Sequence, residues 1–274
     1  MDVFCIAGMH RSGTSVLARL LQTAGVSLGD PAQLMAPQAD NPDGFFEHLA
    51  FMRLNRRLLE TLGGDWDLPP ELPTGWHHDP AVQALAAPAR ALLQTAFGDA
   101  PRGLWKDPRN SLTLPFWQAL QPELRVIVCL RGPQAVARSL MRRSVCSPRF
   151  AQSLWERYNA ALLASLPAGR TLVSHHDALR TDPLAELRRV LDFMGHPAPE
   201  DLAQRVQAIV RPADPAALAN EAEALRRAGA HRALALYDAL RAQAGPVYER
   251  LPEARQPAPV LPVAPAAEAA APPP

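Results

Sequence analysis

The fold of this chain is decided by residues 3–21, which read VFCIAGMHRSGTSVLARLL. A short apolar run from Val3 to Ala7 leads into a loop between Gly8 and Gly13, and apolar residues recur at helical spacing from Val16 onward. This order predicts a strand, a tight glycine-bounded loop and a helix. The backbone N–H groups of such a loop point inward, and the helix N-terminus adds partial positive charge. The stretch therefore predicts an anion site, most often one for phosphate.

This loop departs from the Walker A pattern at one position. Gly8 and Gly13 have the required spacing and Ser15 follows, but Thr14 stands where the pattern has lysine. The cation inside the loop is Arg11. Without the lysine, and without an obvious Asp-ended strand to hold magnesium, the loop fits an ATPase poorly. Phosphate binding remains a good interpretation; the alternative is an ordinary glycine-rich turn between a strand and a helix.

Composition limits the class of protein. The chain has 274 residues, of which 48% are hydrophobic, enough for one sizeable core. Its 28 Lys and Arg balance 27 Asp and Glu, so bulk charge favours neither nucleic acid nor a membrane surface as a partner. Cys5, Cys129 and Cys146 have no metal-ligand spacing and their odd number fits a reducing cytosol, so we expect no metal and a cytoplasmic location. We expect neither a signal peptide nor a transmembrane segment, because the chain shows neither a basic segment followed by a long apolar run at its start nor a twenty-residue apolar span.

The predicted elements alternate between strands and helices. Strands are expected at Val3–Ala7, Gly103–Trp105, Arg125–Leu130 and Arg170–Ser174. This alternation predicts an α/β fold, a three-layer P-loop-like architecture with a mostly parallel central sheet flanked by helices and a helical C-terminal region. The helices that follow the first one are predicted at Leu49–Leu62, Pro80–Phe97, Ser111–Leu120, Gln134–Arg143, Phe150–Leu166 and Asp182–Met194.

Three regions differ in composition. Residues 1–198 carry the strand and helix pattern and should form the α/β domain. Residues 199–250 are helical and charged, and we expect them to form a C-terminal helical extension packed on that domain. Residues 251–274 are predicted to be a disordered Pro/Ala-rich tail, because such a segment cannot bury a core.

Three loops follow predicted strands and carry polar residues. They are Gly8–Ser15, Lys106–Arg109 and Arg131–Ser139. In parallel sheets, ligands bind outside the carboxyl ends of the strands. The three loops are therefore expected to converge on one edge of the sheet and to form one site.

The third loop has the features of a second phosphate site. Arg131 leaves a buried strand, Pro133 begins a helix, and Ser139 follows about two turns later. A guanidinium together with a hydroxyl suits a dianionic phosphate monoester. The alternative is a strand-end arginine in a surface ion pair and a serine facing solvent.

Four segments together resemble the sulfotransferases, whose donor is 3′-phosphoadenosine 5′-phosphosulfate (PAPS). Gly8–Ser15 resembles their 5′-phosphosulfate-binding loop, and Arg131–Ser139 is similar to their 3′-phosphate-binding segment. Lys106-Asp107-Pro108 and Gly44-Phe45-Phe46-Glu47 are similar to stretches of bacterial and tyrosylprotein sulfotransferases. The resemblance covers about residues 3–195. One departure is His175-His176-Asp177, where the family often has Tyr-Glu-Asp, so no role is carried over to that position.

The resemblance implies a PAPS-dependent sulfotransferase that acts on an acceptor hydroxyl, on a glycan, a glycolipid or another small molecule. It implies that Glu47 is the general base and that Lys106 and Arg11 stabilise the leaving phosphate. A carboxylate at the mouth of a phosphate site should have a raised pKa, which suits a base. Alternatives are that Glu47 merely caps the next helix, that His10 or His48 is the base, and that Lys106 is a solvated surface lysine. The donor-binding residues that the resemblance implies are His10, Arg11, Ser12, Gly13, Thr14, Ser15, Arg131 and Ser139.

Two other functions fit the same loop. One is an atypical P-loop kinase of a small molecule or nucleotide, which would need ATP and magnesium. The other is a non-catalytic nucleotide-binding module. No feature of the sequence indicates a nucleic-acid partner, and the sequence leaves the oligomeric state and the residues that contact adenine open.

Overall fold

The computed structural model describes residues 1–38, 41, 43–215 and 218–254. Within them, four strands form one parallel sheet in the order β2-β1-β3-β4. The central β1 pairs through Ile6 with Lys106 on one side and with Ile127 on the other. The predicted parallel sheet is therefore confirmed. The strands are β1 (Asp2–Ala7), β2 (Arg102–Lys106), β3 (Arg125–Leu130) and β4 (Thr171–His175).

Helices cover both faces of the sheet. The strand side chains alternate between two buried clusters, as the period of two in a strand requires. Cys5 and Val126 belong to one cluster, whereas Phe4, Ile6 and Ile127 belong to the other. The helices are α1 (Thr14–Thr23), α2 (Leu49–Thr61), α3 (Pro80–Gln83), α4 (Ala86–Thr95), α5 (Asn110–Leu120), α6 (Pro133–Arg143), α7 (Pro148–Ser165), α8 (His176–Thr181), α9 (Pro183–Met194), α10 (Leu202–Ile209), α11 (Glu221–Arg227), α12 (His231–Arg241) and α13 (Gly245–Glu249).

Most predicted helices are present, but the one expected over Pro80–Phe97 is two helices, α3 and α4. A continuous helix would require the amide of residue 88 to bond to the carbonyl of Ala84, and Pro88 has no N–H. In the first turn of α4 the missing donor costs nothing, so Pro88 is accommodated there. Helix α8 was not predicted, because it begins directly at the end of β4 without a separating turn.

The C-terminal helices share the core of the α/β domain. Tyr237 and Tyr248 are buried in the same cluster as Val126 of the sheet. Leu251 and Glu253, which the prediction places in the tail, are buried as well, because Leu251 joins this cluster and Glu253 accepts a hydrogen bond from the amide of Ala222. The body therefore extends to at least residue 254, and the rest of the predicted tail, 255–274, lies outside the described residues. Across the described ranges, no helix is long and apolar enough to span a bilayer.

Candidate active site

The loop after β1 has positive φ values at two glycines and at one arginine. Arg11 and Gly13 have φ values of 70° and 91°, and α1 begins at the next residue. At Gly8, with φ 131°, an added Cβ would lie 2.3 Å from the carbonyl oxygen of Cys129 in β3. Only glycine permits this close approach of two backbones. The amide of Gly8 donates to the hydroxyl of Ser111 at 2.9 Å, which anchors the start of the loop.

The second predicted phosphate segment meets this loop directly. The Nε of Arg11 donates to the Oγ of Ser139 at 3.1 Å, and a terminal nitrogen of Arg131 donates to the carbonyl of Arg11 at 3.0 Å. The Nε of Arg131 is buried and has no partner among the described residues. Burial lowers the pKa of Arg131 from its ordinary value, although arginine remains charged. Two guanidinium groups and a hydroxyl thus converge at a place that favours an anion.

A buried ion pair joins the other two predicted segments. The Nζ of Lys106, at the end of β2, lies 2.5 Å from Oε1 of Glu47 and 3.2 Å from the Oγ of Ser15. Lys106 is 1% exposed and Glu47 6% exposed, so the alternative of a solvated surface lysine is wrong. The buried position of Lys106 is tolerated because the carboxylate of Glu47 offsets part of the desolvation cost of its charge. The Oγ of Ser15 donates to the carbonyl of Phe45 at 3.2 Å, which holds the Glu47 loop against α1.

The pKa of the Glu47 carboxyl is raised from its ordinary value, which is the direction predicted from the sequence. Burial raises the pKa of the Glu47 carboxyl, and Lys106 opposes that rise. Its second oxygen, Oε2, is buried without a hydrogen-bond partner in the described part of the chain. A carboxylate with one paired and one unpaired oxygen is prepared to accept a proton.

The two candidate histidines occupy different environments. His48 is the N-cap of α2, where its Nδ1 accepts from the amide of Ala50 at 3.3 Å, so the interpretation that Glu47 caps this helix is wrong. His10 is buried, with its ring centroid 4.7 Å from that of Trp66 and 5.7 Å from that of Tyr158. Burial first, and then the nearby arginines and lysine, holds the pKa of His10 well below its ordinary value. Its imidazole is therefore neutral.

A polar network beneath the site was not predicted. Asp107 is fully buried and accepts from Arg109 at 2.9 Å and from the side-chain amide of Asn55 at 3.0 Å. The amide oxygen of Asn55 accepts in turn from Thr113 and Trp117. These buried hydrogen bonds stabilise the segment after Lys106, which carries Asp107 and Arg109. The available signal was a polar Asn55 within the amphipathic α2.

Residues 3–200 match the model of the sulfotransferase family. The chain belongs to this family. Among solved structures, it is similar to the sulfotransferase domain of an olefin synthase from Synechococcus PCC 7002 (21% identity, TM-score 0.49, over 77% of this chain and 81% of that one). It is also similar to a sulfotransferase from Alicyclobacillus acidocaldarius (17%, 0.48, 91% and 99%) and to one from Mycobacterium avium (17%, 0.47, 76% and 67%). No curated protein matches the chain significantly.

The sulfotransferase also has a cavity of about 270 Å³ beside the loop, between α1, α8 and the end of α10. Val16, Leu179 and Val210 contribute apolar surface to its lining. The lining also includes Arg19 and Arg211, so the cavity combines apolar surface with positive charge. It is also lined by residues that belong to two of the motifs, Ser15, Gly44 and Phe46. Sequence reasoning did not find this cavity, because the remaining walls come from α1, α8 and the end of α10, which are far apart in the chain.

The predicted donor-site and catalytic residues of the sulfotransferase all lie at one edge of the sheet. They belong to the loop after β1 and the start of α1, the segment before α2, the end of β2, and the segment from the end of β3 into α6. Ser12 and Thr14 are buried within the loop, and Gly13 faces the ring of His176 so closely that an added Cβ would lie 2.9 Å from it. Their individual roles toward a donor remain predictions.

Proposed function

We propose that this sulfotransferase transfers the sulfuryl group of PAPS to an acceptor hydroxyl, with Glu47 as general base and Lys106 acting on the leaving phosphate. The observation that carries the proposal is the buried pair of Lys106 and Glu47, 2.5 Å apart, beside the anion-binding loop and in contact with its Ser15. A cation for the leaving group and a carboxylate for the nucleophile thus lie close enough to act on the two sides of one sulfuryl group.

The donor would occupy the whole edge of the sheet. Its 5′-phosphosulfate would bind the amides of the loop from His10 to Ser15, together with Arg11. Its 3′-phosphate would bind Arg131 and Ser139, which selects this nucleotide over ATP. The cavity beside α1 suits the nucleoside, since apolar walls with a few charged groups are typical of such sites.

In the transfer, Glu47 takes the proton of the acceptor hydroxyl while that oxygen attacks sulfur in line. The bond between sulfur and the 5′-phosphate oxygen breaks, and adenosine 3′,5′-bisphosphate leaves with its electron pair. The negative charge that develops on the leaving phosphate is stabilised by Lys106, Arg11 and the N-terminus of α1. These groups supply the neutralisation in this scheme, which therefore includes no metal ion.

Donor binding would also release the base. In the structure, Lys106 is paired with Glu47. A phosphate oxygen near Nζ competes for this lysine, and the carboxylate of Glu47 then becomes available to the acceptor. The acceptor class is proposed by family analogy to be a glycan or glycolipid hydroxyl, and the location to be cytoplasmic.

The experiment combines donor transfer with ligand binding. Purified protein is incubated with labelled PAPS and lipid, glycan, peptide and small-molecule acceptors, and transfer of the label to one class is expected. Adenosine 3′,5′-bisphosphate is expected to raise the melting temperature equally with and without magnesium, since bound ligand stabilises the folded state. Stabilisation by ATP that requires magnesium, without any by the bisphosphate, would favour the kinase instead.

A further inference from the structure

A carboxylate from the C-terminal extension reaches the second phosphate segment. Glu221 is the first residue of α11 and is 3% exposed. Its Oε2 accepts from the amide of Gln134 at 2.9 Å, and its Oε1 accepts from Arg138 at 3.1 Å. Glu221 lies beyond residues 3–200, which match the family model, so this contact comes from outside the matched segment.

The contact also constrains the backbone next to Arg131. A Cβ added to Gly132 would lie 2.2 Å from the Cγ of Glu221. The glutamate stem therefore packs directly on the residue that follows Arg131. It fixes the direction in which the chain leaves β3 and enters α6.

The carboxylate of Glu221 occupies the anion-binding end of α6. Helix N-termini attract anions through amides that lack intrahelical partners. In α6 the first residue, Pro133, has no N–H, and the next amide, that of Gln134, already donates to Glu221. Two of the first amide positions of α6 are therefore not available to a second anion, which leaves the side chains of Arg131 and Ser139 as polar groups of this segment that a phosphate could contact.

Glu221 is held from the other side by a buried hydrogen-bond network. The amide of Ala222 donates to Glu253 at 2.8 Å, and Tyr237 donates to the same carboxylate at 3.1 Å. The hydroxyl of Tyr237 also lies 2.9 Å from Nε2 of His175, at the end of β4. The network thus connects two strand ends, those of β4 and β3, through the C-terminal extension.

We propose that Glu221 is a positioning residue for the 3′-phosphate of the donor. By fixing Gly132 and Gln134, it sets the position of the Arg131 guanidinium, which donates to the carbonyl of Arg11, the residue whose side chain contacts Ser139. The preference for a 3′-phosphorylated nucleotide depends on this position. This inference rests on the proposed function, because it assigns the ligand of Arg131 and Ser139.

The test compares two nucleotides that differ in the 3′-phosphate alone. Adenosine 3′,5′-bisphosphate and adenosine 5′-phosphate are titrated by calorimetry into the full-length protein and its variants. Glu221→Ala is expected to weaken the bisphosphate about tenfold or more, the usual size of a lost charged hydrogen bond, and the monophosphate by less than about twofold. Glu221→Gln should lie between, because its amide oxygen still accepts from Gln134. The matched control is Glu223→Gln on the same helix, whose side chain pairs at the surface with Arg226 and Arg227 and should leave the ratio unchanged.

Several outcomes would overturn the proposal. Equal weakening of both nucleotides by Glu221→Ala would show a general structural role, and unchanged affinity for both would show no role. If Glu221→Ala does not fold, Glu221→Gln decides: a selective loss for the bisphosphate supports the role, and an unchanged ratio refutes it. Failure of the proposed function is recognised separately, since the unaltered protein would then show no preference for the bisphosphate.

Discussion

Among single residues, Lys106 and Glu47 are the pair on which the proposed chemistry depends. Both are buried, and removing one partner of a buried ion pair costs about 3–5 kcal/mol because the other charge is left unpaired. An apolar pair of similar volume would often be at least as stable. The retention of two charges here is therefore better explained by the reaction than by stability.

Glu47→Gln is expected to lower kcat by roughly 10²–10⁴-fold, because it preserves the shape of the side chain and removes its basicity. Donor Kd should change much less. Because burial raises the pKa of Glu47, the acid limb of the kcat profile should lie above the ordinary range for glutamate and should be lost in the variant. Steady-state kinetics over pH measures both effects. Full activity in Glu47→Gln, with none in His10→Ala or His48→Ala, would identify a histidine as the base.

Lys106→Ala is expected to lower kcat by on the order of 10²–10³-fold, similar to the loss of one oxyanion donor. The interaction strengthens as the leaving phosphate gains charge, so donor Kd should change less than kcat. Lys106→Arg should restore only part of the rate, because it keeps the positive charge but its guanidinium is larger and planar. Single-turnover kinetics and calorimetry separate the two quantities. Normal turnover in a folded Lys106→Ala protein would remove Lys106 from the mechanism.

At the scale of elements, the site depends on how closely β1 and its loop approach β3. The carbonyl of Cys129 is backbone and cannot rotate away from a side chain at Gly8. The loop, α1 and the end of β3 therefore form one rigid unit. Arg11 of this unit donates to Ser139 of α6, the helix that follows β3.

Gly8→Ala is expected to destabilise the protein by about 2–5 kcal/mol, from backbone strain together with overpacking. Gly63→Ala is the matched control, because Gly63 also has a positive φ of 80° but nothing within 4 Å of an added Cβ. Gly63→Ala should lower the free energy of unfolding only by the backbone strain, about 1 kcal/mol. Urea unfolding of both variants measures the difference, and equal costs would show that the approach to Cys129 is unimportant.

For the whole molecule, the C-terminal extension and the α/β domain form one core. Tyr237 and Tyr248 pack in the same cluster as the sheet, and Glu253 joins α11, α12 and α13 through hydrogen bonds. We therefore expect residues 251–254 to contribute to stability and residues 256–274 to contribute little.

Removal of residues 256–274 should leave the melting temperature and turnover nearly unchanged, because a segment composed almost entirely of Pro, Ala and Val can bury little surface. Removal from Leu251 onward should lower the melting temperature by several degrees, since it also removes the buried Leu251 and Glu253. Thermal unfolding of the two truncated proteins decides this. A large fall in the melting temperature of the protein that lacks only residues 256–274 would mean that these residues contact the body.

Much of the fold is written locally in the sequence. The apolar run of β3 and the glycine-bounded loop of residues 8–13 predict their elements, because the periods of strands and helices act over a few neighbouring residues. Asp182 and Gly195 mark the ends of α9 for the same reason, as cap and stop. The convergence of the loops on one edge also follows, since parallel strands carry their carboxyl ends together.

The pairs that make the site were decided by tertiary structure alone. Lys106 meets Glu47 across 59 residues, and Arg11 meets Ser139 across 128. Sequence motifs predicted which residues form the site, but the strand order β2-β1-β3 decides which of them are neighbours. Glu221 had no motif at all, and its role is visible only because α11 packs against the start of α6, 87 residues earlier in the chain. Local periodicity determines elements, whereas burial and the pairing of charge, which act between distant parts of the chain, determine the site.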